Sequence, residues 1–233
     1  VGLNGGKVCK INSIQANSVS EFAKFDGSID GIIAHSDSLY ILKRGSPYVV
    51  FVFDLHGKQL LEWDFDFQRS LAANAMAVVG NRLLLADNTK ACITIYTLYG
   101  VKQHSIPFPL IRRGYNSLCG CGPDAVVIAH KESDKVFRIK LSTGEVEWTS
   151  DAVKRPIGVC QYSDKYILLT THDAIQQVKV WILDSKSGEW KTTTCVYAIA
   201  REFIYVRYWF GSSSTSLINP KNYFKTLSRQ ELF

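Results

Sequence analysis

Three residues in this chain could share a metal ion if the fold brought them together: Asp87, His130 and His172, set about 40 residues apart. Carboxylate and imidazole are the oxygen and nitrogen donors of catalytic metal centres. A polar side chain bonded to its own loop is the simpler use of each. A second set suggests ionic recognition instead. Lys43, Arg44, Arg69, Lys90, Arg112, Arg113, Lys131, Lys154, Arg155 and Arg207 are interleaved with Tyr48, Tyr115, Tyr208 and Trp209. Cations of this kind neutralise a polyanion or an acidic protein, and aromatic faces stack on unpaired bases. The sequence holds no phosphate-binding Walker loop, no HExxH, no GxSxG and no paired CxxC, so nothing in it implies a cofactor.

Whether either set meets in space depends on the elements that carry it, and these repeat. VFVFDLHGKQLLEWDFD (50–66), ITIYTLYGVKQHSIPF (93–108), VFRIKLSTGEVEWTS (136–150) and VKVWILDSKSGEWKTTT (178–194) each read as a run, a Gly turn and a second run; TSLINPKNYFKTLS (215–228) is a fainter copy. Alternation around a Gly turn is the hairpin pattern. Ahead of each lies another hairpin, as in AMAVVGNRLLLAD (75–87) and IGVCQYSDKYILLTTH (157–172). The units start near 29, 74, 116, 156 and 195, a period of about 40 residues that matches the four-stranded blade of a propeller. The expected fold is an all-β propeller in one domain, 1–233. Residues 1–28 supply an outer hairpin. The ring is then six-bladed with its first strands missing, or five-bladed with 8–25 closing it, because an open ring exposes strand edges.

In such a ring the fourth-to-first and second-to-third connections share one face. The cations named above fall on it, against fewer acids (Asp87, Glu132, Asp134, Asp151, Asp173). The opposite face, with Asp37, Asp124, Asp164, Glu189 and Glu202, is nearly balanced. The net charge of +6 is therefore expected to be concentrated. Solvation of ordinary loops is the plainer reading of the same charges. Trp63, Trp148 and Trp190 recur in fourth strands and are expected to wedge between blades.

Composition fits a globular chain, with 46% hydrophobic and 21% charged residues. No apolar run is long enough to span a bilayer. Six dispersed cysteines suggest reduced thiols and a cytoplasmic protein. A chain that opens on Val1 is expected to be part of a larger protein.

The segments RPIGVCQYSDKYILLTTH and AMAVVGNRLLLADNTKACITIYTLYG resemble the NHL-repeat propellers. Pro156 and Gly158 match the start of an NHL inner strand, Leu84 to Asp87 match the end of a second strand, and Gly57, Gly100, Gly144 and Gly188 match the outer turn. The resemblance spans most of the chain. The single Trp-Asp pair, Trp63-Asp64, falls in an outermost strand, unlike a WD repeat. The NHL resemblance implies a non-catalytic module that recognises a protein or RNA, as the C-terminal domains of tripartite-motif ubiquitin ligases do. A metal-dependent hydrolase or lyase at the channel mouth, and a lectin propeller, are the alternatives from other classes.

Overall fold

Strand and turn signals alternate along the chain without a helical period, and the backbone follows them. A computed structural model describes residues 2–3, 6–13, 18–65, 76–112, 116–172 and 178–196. They form four four-stranded antiparallel sheets and one three-stranded sheet. The first blade is β4 (Ile29–His35), β5 (Ser38–Lys43), β6 (Tyr48–Asp54) and β7 (Gln59–Phe65). The second is β8 (Met76–Val79), β9 (Arg82–Asp87), β10 (Cys92–Thr97) and β11 (Lys102–Pro107), followed by a 3-10 turn, Pro109–Arg112. The third is β12 (Asn116–Gly120), β13 (Ala125–His130), β14 (Lys135–Lys140) and β15 (Val146–Ser150). The fourth is β16 (Pro156–Gln161), β17 (Tyr166–His172), β18 (Val178–Asp184) and β19 (Trp190–Val196). Ahead of them, β1 (Gly2–Leu3), β2 (Lys7–Ser13) and β3 (Ser18–Lys24) make the three-stranded sheet.

The expectation of five or six blades is corrected: four blades are complete among the described residues, and the segment assigned to a fifth lies outside them. Each blade is a meander, its strands hydrogen-bonded in chain order. The first strands β4, β8, β12 and β16 lie side by side in succession, and β1 lies against β4. Phe22 of β3 and Phe25 just after it meet Phe53 and Phe51 of the first blade, with ring centroids 5.8 and 4.9 Å apart.

Second strands are apolar through their middles because both of their faces are covered by neighbouring blades. All six residues of β13, AVVIAH, are buried, and Leu83, Leu84, Leu85 and Ala86 of β9 likewise. Ile93, Ile95, Ile128, Ile139 and Leu141 pack together between the second and third blades.

A recurring device joins the blades at their rim. Third and fourth strands meet in a turn whose Gly is left-handed: Gly57, Gly100, Gly144 and Gly188 have φ of 91, 84, 75 and 70°. A Cβ on Gly100 would sit 2.6 Å from the Trp63 ring of the preceding blade, and one on Gly188 2.6 Å from Trp148. At Gly144 the neighbour is Ile106, at 3.1 Å. Trp63 and Trp148 are thus inter-blade wedges, as their spacing suggests. Trp190 is 52% exposed and leans toward Trp181 within its own sheet, and the segment it would wedge against lies outside the described residues.

Candidate functional site

Among the described residues, the second-to-third turns and fourth-to-first connections reach one face, where the strand ends set the chemistry. At the end of β9, Asp87 is buried and accepts from the backbone N–H of Thr89 and Lys90 at 3.0 and 2.9 Å. At the same point of the next blade, His130 is buried with Nδ1 2.7 Å from Ser133 Oγ and 3.1 Å from the Ser133 N–H. Carboxylate and imidazole do the same work here, closing the turn that follows. Each such bond contributes about 1 kcal/mol. Among the described residues no group of three or more His, Cys, Asp or Glu is placed to hold a metal.

The cations separate into two kinds. Arg44 is committed to the protein. Its guanidinium forks onto Asp30, Nε to Oδ2 at 2.9 Å and a terminal nitrogen to Oδ1 at 2.7 Å, and the Asp30 side chain is 3% exposed. Tyr48 completes this group. Burial pushes its phenol above the ordinary value, the Asp30 carboxylate adds to that, and Arg44 opposes it. Tyr48 is 3% exposed, so its ring is part of the core and cannot stack on a ligand as its sequence position suggested. Lys90 lies 3.7 Å from Asp87.

Lys154 and Arg155 are of the other kind. Both are exposed, and neither side chain is in an ion pair among the described residues. Buried Val153 anchors the loop before them and Pro156 opens β16 after them. The Arg155 N–H donates to Asp134 Oδ1 at 2.8 Å, and its φ is 48°. A bulky residue held in this left-handed region is uncommon. Asp134, itself at φ 55° in the preceding second-to-third turn, thereby fixes the basic pair to the third blade.

Lys43 is half-buried at the end of β5, and Lys131 half-buried in the turn after His130. Arg112 closes the 3-10 turn on the same face. Arg69, Arg113, Tyr115, Arg207 and Trp209 lie outside the described residues. Asp30 is the functional neighbour that sequence reasoning missed. It is the extra residue of a bulge in β4, between Ile29, which pairs with Lys43, and Gly31, which pairs with Leu42.

None of Cys9, Cys92, Cys119, Cys121 and Cys160 is in a disulfide. Burial pushes the Cys121 thiol above its ordinary value, and Arg138 donates to its sulfur at 3.3 Å.

No protein-family model matches the chain, and no curated protein matches it. Solved structures do match. The Pan2 WD40 domain of Neurospora crassa aligns with a TM-score of 0.60 at 14% identity, covering 82% of this chain and 60% of that one. A chain of the Mitotic Checkpoint Complex aligns at 0.60 and 12%, covering 83% and 59%. The WD40 β-propeller domain of Doa1 aligns at 0.57 and 12%, covering 77% and 58%. The chain therefore spans about three-fifths of each. At these identities the likeness concerns the fold: this chain has the architecture of a β-propeller built from four-stranded blades.

Proposed function

We propose that this propeller is a non-catalytic interaction module that holds an acidic segment of a partner protein on the face carrying Lys154 and Arg155. The observation that carries the reading is the contrast within that face. Asp87 and His130, the side chains with catalytic potential, are spent on closing their own turns. Lys154 and Arg155 are exposed on a backbone fixed by Asp134. A cation on an ordered loop loses less freedom when it pairs with a carboxylate. The solved structures of similar fold include a chain of the Mitotic Checkpoint Complex. The NHL resemblance of the sequence supports a place in a cytoplasmic, tripartite-motif-like ubiquitin ligase, and RNA is the other polyanion this face could meet.

The test is a fluorescence-anisotropy titration with a labelled poly-glutamate peptide and, separately, a single-stranded RNA, at about 50 and 200 mM salt. Peptide binding that weakens with salt and is lost in Lys154→Glu/Arg155→Glu is the expected result. Binding of RNA alone, or of neither probe, overturns the proposal.

A further inference from the structure

The outer edge of the first blade differs from the other three. Outer strands leave one row of backbone groups unpaired, and proteins guard such edges with Lys, Pro or engaged charges. The second blade's edge carries Lys102, His104 and Pro107. In the third, Glu147 is held by Arg138, and in the fourth Lys191 is paired with Glu189. The edge strand β7, QLLEWDF, has neither Lys nor Pro, and among the described residues it pairs with β6 alone.

Its two sides have opposite chemistry. Trp63 faces the second blade, against Gly100, and Leu61, two residues away, shares that side. Leu61 is 39% exposed, and Tyr99 and Val101 beside Gly100 are 77% and 63% exposed. On the other side of the strand Glu62 and Asp64 are exposed. Glu62 accepts from Gln59 at 2.7 Å, and neither acid is in an ion pair among the described residues.

We propose that β7 accepts a fifth strand from a partner protein, an extended segment whose side chains alternate between apolar and basic. Main-chain hydrogen bonds along the open edge supply the affinity, and alternate side chains supply the selectivity. On one side the added residues meet Leu61, Tyr99 and Val101. On the other they meet Glu62 and Asp64, where opposite charges on facing strands attract. The same acids argue against a second copy of this chain. Antiparallel self-pairing over the full strand sets Glu62 against Glu62, and like charges directly opposed are destabilising.

The test uses a labelled, end-capped peptide of alternating valine and lysine, titrated by anisotropy into the protein. Two further peptides carry backbone N-methyl groups, one on the valines and one on the lysines. The parent protein is expected to bind the valine-lysine peptide and to bind a valine-glutamate peptide at least tenfold more weakly. Glu62→Lys/Asp64→Lys, checked for an unchanged urea midpoint, is expected to weaken binding at least tenfold. One N-methylated peptide is expected to lose binding, because only one of the two sets of N–H groups faces β7. The proposal is overturned by no binding to the parent, by equal binding of the glutamate peptide, or by full binding of both N-methylated peptides. A dimer in sedimentation that Leu61→Lys dissolves gives the edge to a second copy and also overturns it.

Discussion

The seam between the first and second blades and the seam between the third and fourth share one geometry and are held by different forces. At both, a fourth-strand Trp lies against the turn Gly of the next blade. The first seam is closed by apolar area: Tyr40, Leu42, Val50, Phe65, Met76, Leu83 and Leu85 are buried together, with Phe65 edge-on to Tyr96 at 4.7 Å. The Trp63 indole N–H is buried there without a hydrogen-bond partner among the described residues. In the other seam the Trp148 N–H donates to the Ser185 carbonyl at 3.2 Å, and Arg138 donates to the same oxygen. Nearer the axis, buried Ser117 Oγ accepts the Val159 N–H at 3.1 Å. One seam is sensitive to volume, the other to single atoms.

The largest effect is expected where the two seams are alike. Gly100→Ala and Gly188→Ala each drive a methyl into an indole while holding Ala in the left-handed region, which alone costs about 1–2 kcal/mol. With overpacking of about 1–3 kcal/mol added, each substitution is expected to lower the urea midpoint by far more than Gly80→Ala, whose Cβ meets nothing within 4 Å. Equal losses at all three sites would mean that the Trp contact contributes nothing.

Ser117→Ala breaks the symmetry next. It strands a buried N–H, at a cost of about 1–3 kcal/mol by the same measurement. A smaller difference separates the two indoles. Trp148→Phe removes a donor that is satisfied, whereas Trp63→Phe removes one that is not. The first is expected to cost about 1 kcal/mol more than the second. Equal losses would dissolve the distinction between the seams.

The smallest effect concerns the rim between the second and third blades. Asp124 is held below the ordinary carboxyl value of 3.8, first by the Ser142 hydroxyl and then by Arg82. A carboxyl depressed on folding stabilises the fold above its unfolded pKa, and that contribution is lost as pH falls through the folded value. Asp124→Asn is therefore expected to lower stability slightly near neutrality, to change it least at low pH, and so to flatten the decline below about pH 3.8. An unchanged acid limb, followed by circular dichroism, removes Asp124 from the linkage.

The repeat was legible because each blade respells one short pattern, and the turn glycines announced their φ. What stayed hidden depends on contacts between blades. Gly100 and Gly188 look like ordinary hairpin glycines until Trp63 and Trp148 are laid over them by the preceding sheet. Trp190 reads like Trp148 along the chain, yet it pairs with Leu183 while Trp148 pairs with Arg138, on the other side of the local bulge. The basic face was legible as a list of cations. Its sorting was not, because Asp30 meets Arg44 from a bulge in β4 that the residue pattern does not announce.

The clasp between an outer strand and the following turn has a direction. Phe22, Trp63, Ile106 and Trp148 each lie near the turn glycine of the sheet that follows. During synthesis the preceding sheet is therefore already in place when the next turn leaves the ribosome, and each docking step is local in sequence. At translation rates of about 5–20 residues per second, a blade emerges in roughly 2–8 s, ample time for hairpins that form in microseconds. Each described sheet thus offers its outer strand as the surface on which the next turn docks.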